Sequence, residues 1–246
     1  MAIAFSIITC TLNSEQTLRQ TIDSVAGQRN SNFEHVFVDG GSTDSTLAMI
    51  RRHAVHAHVL ERVDGGISSA MNRGIEAAQG DVIAHLHGDD YYLHDDVLTD
   101  VAEHFKRSGC DWLFGRIVSD IEGKLFPEGF VCPRYSLAAL RRGNFVPHPA
   151  TFVKRSVFQR FGSFREDYRY AMDYEFWLRI APSTSVVQLD RPLAAFRRHA
   201  GSASTANAQR ALREDFRARC AHSSLVHLPM DLARLAVRSH RLARQV

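Results

Sequence analysis

The sequence is poor in the features that define several protein classes. Its four cysteines are far apart and form no CxxC pair, which argues for reduced thiols and against a zinc ribbon or a disulfide framework. No stretch approaches the roughly 20 apolar residues that a membrane-spanning helix needs. The N-terminal apolar run is short and has no basic region before it, so we expect no signal peptide. These absences predict a cytoplasmic protein whose only membrane contact would be peripheral.

An excess of one charge is also missing. Thirty Lys and Arg residues against 27 Asp and Glu residues leave a net charge of +3, so charge gives no reason to expect a nucleic-acid partner. Hydrophobic residues make up 45% of the chain and charged residues 23%, as in ordinary globular proteins. The 246 residues suit one α/β domain, or a core with a small appendage.

The first 90 residues alternate between strand-like and helix-like patterns. Apolar, often β-branched runs predict strands at residues 2–9, 33–38, 57–60 and 81–86. Helical spacing of apolar residues follows the first three runs, at about 18–25, 45–54 and 67–78. This alternation predicts an α/β fold with a doubly wound, mostly parallel sheet and right-handed crossovers.

The order of elements is less regular after residue 90. We predict helices at 93–105, 136–141 and 171–180, and strands at 112–118, 124–130, 186–189 and 193–196. From residue 205 the pattern is helical, with a break near Pro229. No internal repeat and no long linker divides the chain into independent domains.

Polar residues follow each predicted strand of the first half. In doubly wound sheets, ligands bind beyond the carboxyl ends of the strands. We therefore expect one crevice to collect these candidate substrate-binding and metal-binding residues, which are Thr11, Asn13, Asp39, Asp64, Asp89 and Asp90.

The HLHGDD stretch raises the question of a metal, because Asp89 and Asp90 place two like charges at a strand end. Oxygen donors without thiols suit Mg²⁺ or Mn²⁺, whose shell is completed by water and phosphate. A simple turn and helix cap is an equally good explanation for two such acids taken alone. A zinc or iron site at His85, His87 and Asp89 is a further alternative, weakened because that side of a buried strand faces the core.

Asp39 precedes two glycines, so its carboxylate can lie at the lip of the crevice and accept hydrogen bonds from a base or a ribose. Taken alone, DGG is more often just a turn. No GxGxxG follows the first strand, which argues against a dinucleotide oxidoreductase.

Five motifs together resemble the family 2 glycosyltransferases of the GT-A fold. They are TCTLN (9–13), VDGGSTDST (38–46), DGGISSAMNRG (64–74), GDVIAHLHGDD (80–90) and AMDYEFWLR (171–179). The likeness covers roughly residues 5–199 in the family's order, and the set is specific. The chain looks most like bacterial enzymes that build exopolysaccharide or O-antigen repeat units.

The resemblance implies a Rossmann-like, mostly parallel central sheet flanked by helices, followed here by a helical C-terminal extension. It places the GT-A domain at 1–204, with a nucleotide-binding half at 1–90 and an acceptor and catalytic half at 91–204, and the extension at 205–246. The implied reaction is inverting transfer from a nucleotide-diphosphate-sugar, with Mn²⁺ or Mg²⁺, to a saccharide or polyprenyl-linked acceptor.

Carried over by position, the resemblance assigns the base and ribose to Asp39 with Thr9 or Thr11, and puts Asp64 nearby. Asp89 and Asp90 take the place of the family's DXD-type acids. His87 stands where the first acid of that motif belongs, which leaves open which carboxylate binds the metal directly.

Asp173 matches the family's catalytic base. Inverting transfer needs one base to deprotonate the acceptor hydroxyl, and the first turn of a helix favours the ionised carboxylate. Glu175 is the reserve candidate, and a capping role is the structural alternative for Asp173.

Two later segments also match the family, VPHPATFVKRSVF and FRRHAGSAS. They imply that His148 lines the acceptor side, while Arg197, Arg198 and His199 meet the diphosphate or complete the metal shell. Arginine suits phosphate through its fork of donors. A solvated basic loop explains the second segment nearly as well.

The C-terminal segment combines an apolar stripe at 232–246 with arginines on its other face. Such a helix can lie on an anionic membrane, although packing on the domain or on a second subunit is the more frequent outcome. The sequence does not distinguish a monomer from a homo-oligomer.

Two other functions compete with glycosyl transfer. A nucleotidyltransferase would share the sheet and the acids, but it usually carries a glycine-rich, arginine-containing loop where TCTLNSEQT stands here. A non-catalytic sugar-nucleotide binder that serves an assembly is compatible with His87 in place of an acid.

Overall fold

The computed structural model describes residues 3–30, 32–54, 56–128, 132–198 and 207–222, together with Ala236 and Ser239. The strands are β1 (Phe5–Thr11), β2 (Phe33–Asp39), β3 (His58–Leu60), β4 (Val82–His85), β5 (Tyr91–Tyr92), β6 (Trp112–Ile121), β7 (Lys124–Pro127), β8 (Thr151–Lys154) and β9 (Val186–Arg197). The helices are α1 (Leu18–Ala26), α2 (Thr46–His53), α3 (Ile67–Ala77), α4 (Val97–Ser108), α5 (Leu137–Arg142), α6 (Arg155–Phe161), α7 (Met172–Ile180) and α8 (Ala208–His222). Short 3-10 turns lie at His148–Ala150 and Ala181–Ser183.

The strands form one sheet in the order β3-β2-β1-β4-β8-β6-β9-β5, with β7 paired to β6 beside this path. β3, β2, β1 and β4 are mutually parallel, as the alternation of strands and helices predicts. β8 runs antiparallel to β4 and to β6, and β6 and β9 are parallel. The predicted α/β fold is confirmed, with a parallel first half and a mixed second half.

Helices cover both faces of the parallel half. All seven residues of β1 are buried, as expected for a strand between two layers of helix. On one face Leu18 of α1 packs with Phe37 of β2 and Ile50 of α2. On the other face Met71 of α3 lies in one cluster with Ile8 of β1. The sheet therefore presents its strand ends, and not its faces, to ligands.

α3 approaches β1 closely because its contact residue is a glycine. A Cβ at Gly74 would lie 2.4 Å from Ile8 Cγ2, which is far inside a normal contact. Overpacking of this kind costs about 1–3 kcal/mol. The close approach holds the start of α3 near the sheet, where Ser68 Oγ donates to the Tyr168 carbonyl at 2.6 Å.

α7 is held on the second half of the sheet by stacked indoles. The rings of Trp112 on β6 and Trp177 on α7 lie 5.3 Å apart and nearly parallel. Trp112 also donates through Nε1 to Thr184 Oγ1 at 3.0 Å, just after the helix. Aromatic pairs of this kind stabilise by about 0.5–1.5 kcal/mol beyond the area that they bury. α7 therefore has a fixed position relative to the strand ends.

Several elements differ from their predicted bounds. β8 was not predicted, and the two short strands at 186–189 and 193–196 are one strand, β9, with register shifts opposite residues 114–117 of β6. Pro192 lies in that irregular stretch, where a missing N–H costs least. α4 begins at Val97 and not at residue 93, and Leu93 instead continues the pairing of β5 with β9 by donating its N–H to the Leu193 carbonyl.

At the C-terminus, α8 is the described part of the predicted helical extension. The predicted break near Pro229 lies outside the described residues, and so does the stripe at 232–246 apart from Ala236 and Ser239. None of the helices in the described parts of the chain is long and apolar enough to cross a membrane.

Candidate active site

Asp39 links the carboxyl ends of β1 and β2. Its Oδ2 accepts hydrogen bonds from Thr11 Oγ1 at 2.9 Å and from Ser42 Oγ at 2.5 Å. Its Oδ1 accepts the backbone N–H groups of Gly41 and Ser42, at 2.9 and 2.8 Å. Asp39 is 0% exposed, and these four donors make it the organiser of the turn after β2. A direct bond from Asp39 to a nucleobase would have to replace one of them.

Thr9 lies deeper than Thr11 on the same face of β1. It is fully buried, and its Oγ1 is 2.8 Å from His35 Nε2 on β2. Burial lowers the pKa of His35 to about 3, so the ring is neutral at physiological pH. Of the two threonines, Thr11 is therefore the one at the strand end.

Asn13 joins the loop after β1 to the loop after β2. Its backbone N–H donates to Ser42 Oγ, and its Oδ1 accepts the backbone N–H of Thr43, both at 2.9 Å. Asn13 has φ 51°, in the left-handed region that asparagine tolerates better than most residues. The two loops consequently form a single ledge.

Asp64 lies at the same edge of the sheet. Val63, the residue before it, donates its backbone N–H to the Asp39 carbonyl at 2.9 Å. Asp64 itself is exposed and is followed by Gly65 and Gly66, with φ of 100° and 84°. These left-handed glycines turn the chain into α3 and leave Asp64 at the rim.

The turn after β4 packs directly on the loop after β1. Thr17 Oγ1 donates to the Gly88 carbonyl at 2.7 Å, and the Gly88 N–H donates to the Cys10 carbonyl at 3.2 Å. A Cβ at Gly88 would lie 3.0 Å from Ser14 Oγ and 3.2 Å from a methyl carbon of Thr11. The loop after β1 and the turn after β4 are therefore in direct contact, while the shared crevice for their side chains stays a prediction.

Asp89 and Asp90 differ sharply in exposure. Asp89 is half-buried, whereas Asp90 is 1% exposed and accepts the backbone N–H of Arg197 at 3.1 Å. Burial and the neighbouring charge of Asp89 raise the pKa of Asp90 well above its usual value, against the opposing effect of Arg197. Arg197 also donates through Nε to the Asp89 carbonyl. Asp90 thus fastens the turn to β9, and Asp89 lies nearer to solvent.

The donors of this turn fit a hard divalent cation. A buried carboxyl with a raised pKa next to a second acid is a place where added positive charge is favourable. Within the described residues, no three His, Cys, Asp or Glu side chains converge as a metal cage. Mg²⁺ and Mn²⁺ do not need such a cage, because one or two carboxylates plus water and phosphate oxygens suffice. Asp89 and Asp90 therefore fit a cation that is shared with a ligand.

His85 and His87 face a third histidine, His148, from the 3-10 turn before β8. Each of their rings lies 5.3 Å from the His148 ring, and the stacks are 30° and 16° from parallel. Burial lowers the pKa of all three, that of His85 to about 3. We call these three residues the histidine stack. The absence of a three-ligand cluster among the described side chains gives no support to the zinc or iron alternative.

Asp173 occupies the first turn of α7, as predicted. It is half-buried, its Oδ1 accepts the Tyr174 N–H at 2.6 Å, and Asn144 Nδ2 lies 3.4 Å from its Oδ2. Burial, and to a smaller extent the charge of Asp215, raise the pKa of Asp173 to about 7, against these two donors. The expectation that the helix start favours the ionised form is therefore outweighed by burial. A carboxyl that titrates near neutrality suits a general base.

The histidine stack connects the two halves of the site. His148 lies four residues after Asn144, which contacts Asp173, and its ring is 6.2 Å from that of Trp177, on the same helix as Asp173. On its other side it touches His87, two residues before Asp89. The His148 ring thus lies between the turn that carries Asp89 and the helix that carries Asp173.

Arg198 is tied to an acid in this structure. Its guanidinium donates to Ser119 Oγ at 2.7 Å and to Glu128 Oε2 at 3.0 Å. A phosphate contact would have to compete with Glu128. His199, the predicted third metal residue, lies outside the described residues.

Two residues that contact the first turn of α7 or the chain leading into it were not predicted from the sequence. Asn144 lies in the stretch RRGNFVPHP, two residues before the segment VPHPATFVKRSVF that contains His148. Glu214 lies in the C-terminal extension, yet it accepts three backbone N–H groups immediately before α7. No periodicity or short motif links residues about 40 positions apart, so only the fold could reveal the second.

Comparison with known proteins identifies the family. The model for glycosyl transferase family 2 matches residues 6–162. A PGL/p-HBAD biosynthesis glycosyltransferase of Mycobacterium bovis is 32% identical over 188 residues, which cover 74% of this chain and 72% of that protein. An uncharacterized glycosyltransferase of Mycobacterium tuberculosis is 33% identical over 180 residues, 72% of this chain and 68% of the relative. The chain belongs to glycosyl transferase family 2 and is a glycosyltransferase, not a nucleotidyltransferase.

Solved structures show the same fold. Staphylococcus aureus TarS 1–349 in complex with UDP superimposes with a TM-score of 0.72 at 20% identity, covering 99% of this chain and 73% of that one. The mannosyltransferase PcManGT from Pyrobaculum calidifontis, in complex with GDP-Man and Mn²⁺, gives 0.71 at 18% identity, covering 96% and 70%. The GT-A fold implied by the motifs is confirmed.

Proposed function

We propose that this glycosyltransferase moves a sugar from a nucleotide-diphosphate-sugar to a hydroxyl of a saccharide or lipid-linked saccharide, with inversion at the anomeric carbon. The observation that carries the proposal is the carboxyl of Asp173, half-buried, with a pKa raised to about 7. A base of this kind is ionised enough at neutral pH to accept a proton and basic enough to assist attack.

In the proposed reaction, the acceptor oxygen attacks the anomeric carbon while its proton passes to Asp173. The bond from that carbon to the diphosphate oxygen breaks, and the nucleoside diphosphate leaves with the electron pair. One displacement of this kind inverts the configuration. Asp173 then returns the proton to solvent.

The ledge formed by the loops after β1 and β2 is proposed to hold the nucleoside. Thr11 and Asn13 come from the first loop and Asp39 shapes the second, with Asp64 at the adjoining rim. Thr9 supports this ledge from below through its contact with His35. Backbone groups of such loops commonly supply the specific contacts to a nucleotide.

We assign the metal contact first to Asp89, with Asp90 holding the turn and His199 kept as a candidate further ligand. The half-buried position of Asp89 against the 1% exposure of Asp90 supports this order. When bound, Mn²⁺ or Mg²⁺ would supply positive charge for the departing diphosphate. Arg198 is proposed to meet the same diphosphate by exchanging Glu128 for phosphate oxygens.

The acceptor is proposed to approach over Asn144. A shallow depression of about 230 Å³ lies there, lined by Pro133, Ala139, Arg142, Gly143, Asn144 and Phe145. Because Asn144 contacts Asp173, a hydroxyl entering from this side would meet the base. His148, four residues after Asn144, is proposed to line the acceptor side further in.

Relatives support the donor class. TarS has been solved with UDP-GlcNAc, with a TM-score of 0.74 to this chain, and PcManGT with GDP-Man and Mn²⁺. We place the reaction in the cytoplasm, or at the inner face of the cell membrane if the acceptor is lipid-linked. Synthesis of a bacterial surface polysaccharide is the process that we propose it serves.

One titration tests the function. The full chain is mixed with UDP-, GDP- and dTDP-sugars, each with and without Mn²⁺, and both binding and slow release of nucleoside diphosphate are followed. We expect one donor to bind in a metal-dependent way and to be hydrolysed slowly. Binding without turnover, even when mono- and disaccharide acceptors are added, would instead favour the non-catalytic binder. Binding and turnover that ignore Mn²⁺ would contradict the metal assignment alone.

A further inference from the structure

The helix that carries the proposed base has no capping side chain at its N-cap position, although Asp173 itself accepts the Tyr174 N–H in the first turn. α7 has Ala171 at its N-cap position, and no side chain there bonds to the first turn. Helix starts leave several backbone N–H groups without helical partners, and such groups usually need an acceptor. For Ala171 and the two residues before it, the acceptor comes from a distant part of the chain.

Glu214 of α8 supplies that acceptor. Its Oε2 receives the N–H groups of Arg169 at 2.9 Å, Tyr170 at 2.6 Å and Ala171 at 3.0 Å. The three N–H groups belong to the residues that lead into α7, two to four positions before Asp173. A carboxylate is well suited to this place because hydrogen bonds to a charged acceptor are stronger than neutral ones.

Two further residues of α8 contact the same region. Arg217 lies over the Tyr168 ring, 4.0 Å from its centre, and pairs with Asp167. His222, at the end of α8, lies 2.9 Å from Glu175, which is 1% exposed and also pairs with Arg179. α8 thus contacts the residues that lead into α7 near its own start, and Glu175 in the first turn of α7 near its own end.

We propose that α8 is a working part of the catalytic site, in which Glu214 is a positioning residue that holds the backbone leading into α7 and so fixes where the Asp173 carboxylate points. This inference rests on the proposed role of Asp173 as the base. It goes beyond the family match, which ends at residue 162, before both α7 and α8. Residues outside the matched core would therefore complete the site.

Asp215, the neighbour of Glu214, has a related electrostatic role. Its negative charge is one of the causes that raise the pKa of Asp173. The titratable and charged groups near the start of α7 include Glu214, Asp215 and His222 from α8, with Glu175 and Arg179 on α7 itself. Asn144 adds a neutral donor from the loop after α5. α8 therefore affects both the placement and the protonation of the base.

The test compares Glu214→Ala, Glu214→Gln and Asp215→Asn with Arg213→Ala, a matched control at an exposed position of α8. Amide exchange at residues 167–173 reports the cap directly and needs no substrate. We expect Glu214→Ala to exchange at least about tenfold faster at the three capped amides. Glu214→Gln keeps one acceptor oxygen and should lie in between, so it serves if the alanine variant does not fold.

Turnover and titration then separate positioning from simple packing. With UDP-GlcNAc or GDP-mannose plus Mn²⁺, we expect Glu214→Ala to lower kcat about tenfold or more, since small misplacements of a catalytic group are costly, with KM for the donor changed less than twofold. Asp215→Asn should move the acid limb of the kcat profile, and the carboxyl titration of Asp173 seen by NMR, to lower pH.

The outcomes distinguish this inference from the function on which it rests. If the unmodified chain turns over neither donor, the proposed function fails for those donors, while amide exchange and the Asp173 titration still judge the role of α8. If Glu214→Ala matches Arg213→Ala in amide exchange, the cap does not exist in solution. If exchange rises but kcat, KM and the Asp173 titration match the control, α8 merely packs on α7 and the proposal is wrong.

Discussion

Asn144 Nδ2 lies 3.4 Å from Asp173 Oδ2. This contact joins the loop before the 3-10 turn of His148 to the first turn of α7, and so brings the acceptor side of the site to the proposed base. The Asn144 amide favours the ionised carboxylate, while burial of Asp173 and the charge of Asp215 oppose it. The balance of these effects leads to predictions about both rate and pH.

Replacing Asp173 by Asn should abolish transfer and spare the donor site. Asn keeps the shape and the contact with the Tyr174 N–H, but it cannot accept a proton from the acceptor. Loss of a general base typically costs about 10²–10⁴-fold in rate. Calorimetric Kd for the donor with Mn²⁺ should stay within about twofold, and an Asp173→Asn variant with full activity would refute the base assignment. Glu175→Gln is the comparison variant, since Glu175 is committed to Arg179 and His222.

The rate should fall as the pH drops through about 7, because the base works only when ionised and the pKa of Asp173 is raised to about 7. Removing the Asn144 amide with Asn144→Ala takes away a donor that lowers this pKa. The acid limb of kcat should then move to higher pH, by about half a unit for one long hydrogen bond to a charged group. A shift to lower pH would mean that Asn144 does not donate to Asp173.

Asp89 and Asp90 should respond differently to alanine. In the presence of Mn²⁺, Asp89→Ala should weaken donor binding at least about tenfold. Donor binding without the metal should stay nearly unchanged, and so should Tm. Asp90→Ala removes a buried acceptor of the Arg197 N–H, so it should weaken metal-dependent binding together with a loss of about 1–3 kcal/mol in stability. Thermal unfolding measured beside calorimetry separates the two. If Asp90→Ala weakened metal-dependent donor binding as much as Asp89→Ala does, with no change in Tm, the direct metal contact would have to be assigned to Asp90.

The first half of the fold was readable from the sequence because its signals are local and repeated. Runs such as FSIITCT are long enough, and β-branched enough, to indicate a strand covered on both faces. β8 has only four residues, directly before a helix, and so short a run carries little periodicity. The single strand β9 reads as two because DRP interrupts its apolar pattern at the register shift. Antiparallel insertion of β8 between two parallel regions depends on tertiary packing alone.

The loops of the candidate site were predictable where polar residues follow the ends of parallel strands. Thr11, Asp39, Asp64 and the two acids after β4 follow that rule, and their loops do meet. The relative burial of Asp89 and Asp90 could not be predicted, because it depends on where β9 delivers Arg197, more than 100 positions later. The raised pKa of Asp173 was missed for the same reason, since burial by distant elements outweighs the local effect of the helix start.

The histidine stack should make the fold sensitive to mild acid. Burial and the other two histidines hold the pKa of His148 well below its usual value, and neither of its ring nitrogens has a hydrogen-bond partner among the described residues. The unfolded chain therefore binds a proton below about pH 6.5 that the folded chain does not. Stability that is fully present above this pH is lost as the pH falls, by about 1–2 kcal/mol at pH 5 for this one residue.

His148→Phe should keep the ring stack and remove that proton site. We expect the variant to be more stable than the unmodified chain at pH 7.5, by up to about 1–3 kcal/mol, because two buried unpaired nitrogens disappear. The decrease in Tm between pH 7.5 and pH 5 should also become smaller, since His85 and His87 are then the only rings in the stack that can bind a proton. The control is His58→Phe, at an exposed position of β3, which should leave the pH dependence unchanged. If His148→Phe kept the full acid-induced decrease in Tm, His148 would have to be protonated or solvated in the folded protein, and the histidine stack would not be the buried cluster described above.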